Sequence, residues 1–168
     1  MQALSGEKTA ALTKEAESLT DIRKSVRQII RRCGCADPET ICEKLNVMIL
    51  EQDLPECVKG FTVRMNHKTF IVLNQELSFE DKRFTTAHEL GHILLHDGTN
   101  SVLLGCHTSF CLSRYEKEAD FFAAWLLMYD FGHELSGREC VTTEDIAKIA
   151  HIPQSVAENA FSESGGKL

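Results

Sequence analysis

Two histidines four residues apart, His88 and His92, enclose Glu89 in the run Phe84-Thr85-Thr86-Ala87-His88-Glu89-Leu90-Gly91-His92. This is an HExxH arrangement, and its spacing has a physical reason. Residues four apart in an α-helix share one face, about 5–6 Å apart at Cβ, so two imidazoles can converge on one metal ion. Glu89 leaves from nearly the same side, placed to hold a water on that ion rather than to bind the ion tightly. Two imidazoles and a carboxylate with one open position suit zinc. Such an ion lowers the pKa of its water to roughly 7, and a neighbouring Glu can take the proton. The chemistry is hydrolysis, most commonly of a peptide bond.

A third ligand is needed, and Glu-Lys-Glu-Ala-Asp at 116–120 offers one. Glu116 and Asp120 are four apart and share a helix face. That spacing lets Glu116 ligate the metal while Asp120 receives the N–H of a ligating histidine and fixes its tautomer. Glu118 leaves the helix about 200° away from Glu116 and is the alternative ligand. His96, four beyond His92, does not extend the set. A helix drifts by about 40° every four residues, so three such imidazoles splay. His96 is read as a C-terminal cap, where a cation or donor suits the helix dipole.

The runs RFTTAHELGHILLH and EKEADFFAAWLLM, with a helix near DPETICEKLNV and a hairpin ending KTFIVLN, resemble the ImmA/IrrE family of bacterial and phage metallopeptidases. The resemblance covers about residues 20–130. It implies a zincin-like α+β fold, mainly helical, with a small antiparallel sheet packed on the HExxH helix. It also implies a sheet edge that receives the substrate as an added strand. The implied substrate is a DNA-binding helix-turn-helix repressor, which composition and spacing do not show. Tyr129 departs from the family, which usually has proline after Leu-Leu-Met.

The elements that must position these groups are legible in part. Ser78, with Asp81 three residues on, reads as a capping box. Phe84, Ala87, Leu90, Gly91, Leu94 and Leu95 recur at three and four, predicting a helix over 79–96. The second ligand helix is expected over 113–129, with Phe121, Phe122, Trp125, Leu126 and Met128 packing under the site. Between them, 97–112 is a long connection of a length usually tied to function. His107 within it, or Tyr115, is a candidate donor to the oxyanion of a tetrahedral intermediate.

Upstream, a helix is expected from Thr20 or Asp21 to about Arg32, ended by Gly34. Ile22, Val26, Ile29, Ile30 and Cys33 form its apolar face, and Arg23, Arg27 and Arg31 form a solvated stripe. Asp37-Pro38 starts a second helix, running to about Leu45. Strands are expected at 47–51, 61–65 and 69–73, the last two joined through Asn66-His67-Lys68. Residues 1–18 read as a flexible leader, 19–141 as the metallopeptidase domain, and 142–168 as a short helical hairpin and tail. That hairpin is a partial helix-turn-helix whose second helix lacks Arg and Lys. His133-Glu134-Leu135 imitates the motif, but Gly137 stands where its second histidine would be.

Composition narrows the function classes. The 168 residues are 43% hydrophobic and 26% charged, with a formal net charge of −7. That field opposes direct nucleic-acid binding. The seven cysteines include no C-x-x-C pair. No signal peptide or 18-residue apolar run is present. Reduced thiols and a cytoplasmic location are therefore expected. Cys106, His107 and Cys111 could bind a second metal or sense redox state, and free loop thiols are the simpler reading. The rival to an enzyme is a module that binds a transcriptional regulator without cutting it, its zinc structural or vestigial. An open ligand position beside Glu89 favours the enzyme.

Overall fold

The computed structural model describes residues 21–96, 109–130 and 141–162. The expected leader, His107, Cys106, Cys140, the imitation motif at 133–135 and the tail from 163 lie outside the described residues.

Helix α1 occupies 21–33 and buries Ile22, Val26, Ile29, Ile30 and Cys33 on one face. Gly34 ends it in the left-handed region (φ 70°), with its N–H donating to the Ile30 carbonyl at 2.6 Å. That conformation costs glycine little. Arg27 and Arg31 are exposed as expected. Arg23 is not part of a solvated stripe, because its guanidinium lies 4.0 Å over the Trp125 ring.

Helix α2, Pro38–Lys44, starts as its sequence dictates. Asp37 is the N-cap and accepts from the Thr40 N–H at 2.9 Å, and proline occupies the first turn, where no N–H is needed. Ile41 and Cys42 are fully buried. Burial, followed by the nearby Glu39 and Asp37 charges, pushes the Cys42 thiol up to about 12.

Three strands follow: β1 (Val47–Gln52), β2 (Gly60–Met65) and β3 (Lys68–Asn74), in spatial order β1-β3-β2. The α+β class is as expected, but the sheet is mixed rather than antiparallel. β2 and β3 form the antiparallel hairpin, with Thr62 opposite Ile71. β1 runs parallel to β3, with Ile49 beside Ile71. The reason lies in the connection 53–59. The Asn74 side-chain amide at the end of β3 donates to the carbonyls of Leu54 and Val58, each at 3.2 Å. The chain thus crosses from one edge to the other and leaves the centre free for β3. The hairpin turn is shorter than expected. Asn66 and His67 both take positive φ (51° and 60°) and Lys68 already belongs to β3, which matches the twist of a two-residue turn.

Helix α3, Phe79–Leu95, lies against β2 and β3, and helix α4, Ser109–Asp130, packs along α3. Ser78 caps α3 by accepting from the Asp81 N–H at 3.1 Å. The Asp81 carboxylate returns to the Ser78 hydroxyl at 2.9 Å. Helix α4 begins at Ser109, four residues before the expected start, and continues through Tyr129. Two glycines set the layer spacing. A Cβ on Gly60 would stand 2.8 Å from both Thr85 Cγ2 and the Val72 carbonyl oxygen. One on Gly91 would stand 3.0 Å from Ala119 Cα.

Helices α5 (Thr143–Ala150) and α6 (Gln154–Ser162) complete the described chain. Thr142 and Asp145 form a reciprocal capping box, and His151 turns the chain at φ 51°. Ile146, Ala150, Ala157, Ala160 and Phe161 belong to the same apolar core as α1 to α4. Trp125 does not pack under the site. It meets Phe161 edge-on at 4.6 Å on one side and Arg23 on another. Among the described residues, no helix is long and apolar enough to cross a membrane.

Candidate metal centre

The helix face predicted from spacing forms at α3. His88 Nε2 and His92 Nε2 stand 3.1 Å apart. Helix α4 delivers Glu116 to the same point, Oε2 at 3.3 Å from His88 Nε2 and Oε1 at 3.5 Å from His92 Nε2. Four-coordinate zinc holds nitrogen and oxygen ligands at about 2.0–2.1 Å, which sets tetrahedral ligand atoms about 3.3 Å apart. The three separations straddle that value. Among the described residues, His88, His92 and Glu116 are the group that could hold a metal ion. The runner-up, Glu118, points away. Arg114 Nε donates to its Oε1 at 2.7 Å, and its Oε2 lies 3.8 Å from His96 Nδ1.

The close approach of the two helices has a local cause. Gly91 lies on α3 between the two histidines and presents no side chain to Ala119, one turn beyond Glu116. A Cβ on Gly91 would stand 3.0 Å from Ala119 Cα, so a side chain there would press the two helices apart.

Asp120 Oδ1 lies 2.9 Å from His88 Nδ1. A carboxylate accepts, so Nδ1 carries the proton, and the lone pair of the neutral ring sits on Nε2, facing His92 and Glu116. Burial opposes charge on His88, but the Asp120 and Glu116 carboxylates outweigh it and hold the group up at about 10. Glu116 is driven well below the usual carboxylate range by hydrogen bonds from His88 and then His92, against its desolvation.

Glu89 is buried, 6% exposed. The Thr62 hydroxyl on β2 donates to Glu89 Oε2 at 2.7 Å. Sequence reading missed Thr62. Its signal was a lone hydroxyl between the two apolar residues Phe61 and Val63 of β2, which alternate with it and are half-buried. His96 is the C-cap of α3, as expected, but it is buried. Its ring lies 4.4 Å from the Tyr115 ring, and its Nε2 lies 3.3 Å from the Tyr115 carbonyl oxygen. Burial, and next the charge of His92, push His96 down from its ordinary value. Of the two oxyanion candidates, Tyr115 is half-buried against His96, and His107 is outside the described residues.

Comparison with known proteins accords with this geometry. The family model of the IrrE N-terminal-like domain, peptidase M78, matches residues 42–152. The chain is 28% identical over 138 residues to an uncharacterized immunity region protein 2 of Bacillus phage phi105, covering 82% of this chain and 87% of the relative. It is 26% identical over 148 residues to the metallopeptidase ImmA of Bacillus subtilis (strain 168), covering 86% of each. An HExxH helix with a converging downstream carboxylate, inside a match that spans most of the chain, places this protein in the IrrE N-terminal-like family of metallopeptidases.

Proposed function

We propose that the protein is a zinc-dependent endopeptidase that cleaves a DNA-binding helix-turn-helix repressor in the cytoplasm. The observation that carries the reading is the convergence of His88, His92 and Glu116 at separations a tetrahedral ion requires, with Glu89 beside them. Zinc held there supplies a Lewis acid and lowers the pKa of water to about 7. Asp120 keeps His88 in the ligating tautomer. Thr62 occupies Oε2 of Glu89, and the other carboxylate oxygen takes the proton of the attacking water. Glu89 then passes that proton to the leaving amide nitrogen. Tyr115 or His107 is the donor to the developing oxyanion.

Among the described residues β1 and β2 are the edge strands, and β2 carries Thr62 beside Glu89. β2 is therefore the edge on which a substrate segment adds as a strand, its backbone paired and its scissile bond brought to α3. The repressor as substrate is supported by the names of the relatives, an immunity region protein and ImmA.

The test has two parts. Elemental analysis is made of the wild-type chain and of Glu116→Ala, both purified without added metal. About one zinc per chain, lost in the variant, is expected; zinc absent from the wild type even after reconstitution refutes the reading. Zinc-loaded wild type and Glu89→Gln are then incubated with a candidate repressor and the products read by mass spectrometry. Cleavage by the wild type alone, with zinc retained in both, is the expected result.

A further inference from the structure

The metal group is assembled from two helices, so its geometry depends on how α3 and α4 are fastened together. Two fastenings lie on the Asp120 side of Glu116. They are the close approach of Gly91 to Ala119 and the 2.9 Å contact of His88 with Asp120. On the other side of Glu116, His96 makes a contact with α4. Its Nε2 lies 3.3 Å from the carbonyl oxygen of Tyr115. A carbonyl can only accept, so Nε2 carries the proton.

That carbonyl belongs to the peptide unit whose nitrogen is the backbone nitrogen of Glu116. Holding it fixes the plane from which the ligand side chain departs. The Tyr115 ring, 4.4 Å from the His96 ring, leaves the imidazole little freedom to turn. The opposite nitrogen, Nδ1, faces Glu118 Oε2 at 3.8 Å, beyond hydrogen-bond reach, and Arg114 holds Glu118 from outside. His96 is itself 7% exposed. Nothing in capping the end of α3 requires an imidazole buried this deeply, since the cap bond to the His92 carbonyl comes from the backbone N–H.

We propose that His96 is a positioning residue for the metal centre: its Nε2–H grips the Tyr115 carbonyl and sets the reach of Glu116 toward His88 and His92. The inference rests on the metal-site reading given above. It assigns His96 no contact with the metal and no part in proton transfer.

The experiment measures zinc affinity by competition with a chromophoric chelator, which needs no peptide substrate. The variants are His96→Gln, His96→Asn and His96→Phe. The Gln amide nitrogen falls where Nε2 stands, whereas the Asn amide nitrogen falls where Nδ1 stands. Phe keeps a ring and removes both nitrogens. Circular dichroism of the metal-free proteins checks that each folds. Losing a group that supports a metal ligand typically weakens binding 10–100-fold. Asn and Phe are expected at the low end, about tenfold weaker than wild type, and Gln close to wild type. The visible spectrum of the cobalt-substituted protein should change for Asn and Phe and not for Gln, a signature that a general loss of stability does not produce. If Phe does not fold, the Gln and Asn pair decides. Wild-type affinity in Asn, or equal weakening in Gln and Asn, overturns the inference while leaving the metal site standing. A wild-type chain that binds no zinc overturns both.

Discussion

The Thr62 hydroxyl reaches across from strand β2 to Glu89 on helix α3 and donates to its Oε2 at 2.7 Å. Both groups are buried. A carboxylate placed so deeply needs a donor, and a strand threonine with its stiff χ1 supplies one at a fixed angle. The bond joins the sheet edge proposed to receive substrate to the group proposed to take the proton.

Replacing Thr62 by valine keeps the shape and removes the donor. A hydrogen bond to a charged group is worth about 1.5–3 kcal/mol, which as a barrier is roughly 10–100-fold in rate. Thr62→Val is therefore expected to lower kcat by that factor with zinc content and KM little changed, and Thr62→Ser to recover most of it. Steady-state kinetics on a cleaved substrate check this. Equal kcat in wild type and Thr62→Val would remove Thr62 from the machinery.

Gly91 offers a test of the helix contact. A Cβ at this position meets backbone atoms of Ala119 and the Cβ of Phe122 at 3.0–3.2 Å, none of which is the movable end of a flexible side chain. Gly91→Ala should destabilise by about 1–3 kcal/mol despite the better helix propensity of alanine. For a chain of this size that is a fall in Tm of about 2–4 °C per kcal/mol. Zinc affinity should fall as well, because the helices part where the ligands meet. A variant as stable as wild type would mean that the interface yields more easily than its geometry implies.

The protonation of the site gives a stability–pH dependence in the metal-free protein. His88 is held up at about 10, above its ordinary 6.5. The folded value exceeds the unfolded one, so the contribution is fully present below about 6.5 and is lost as pH rises through about 10. Glu116 is shifted the other way. Its contribution is present above the ordinary carboxylate range and is lost only as pH falls through its depressed folded value. Thermal melts in chelator from pH 6 to pH 10.5 should show a decline in Tm that His88→Gln flattens. A variant that declines in parallel with wild type would place the effect elsewhere.

Much of the site was legible because it is written in helical spacing. His88 and His92 share a face by virtue of being four apart, and so do Glu116 and Asp120. The caps Asp37 and Ser78, and the stop at Gly34, are local chemistry that a few neighbouring residues decide. Less visible were features set by residues distant in sequence. Alternating apolar residues marked β1, but the strand pairs with β3 rather than its neighbour β2, and the connection 53–59 is held by the Asn74 amide at the far end of β3. Arg23 looked solvated until the fold brought Trp125 beneath it.

Neighbouring residues alone therefore fix the local set: which side chains share a helix face, where the helices start, and that two imidazoles and a carboxylate are available for one ion. The tertiary structure decided which carboxylate arrives. Glu116 and Glu118 are two residues apart on one helix. The packing of the two helices, close at Gly91 and Ala119 and held by His88 to Asp120, turns Glu116 to the histidines and Glu118 to Arg114 and His96. It also decided the partners of single side chains, Thr62 with Glu89 and His96 with Tyr115. Spacing reports angles around one helix axis, whereas contacts between elements depend on the distance and rotation of two axes, which no single segment encodes.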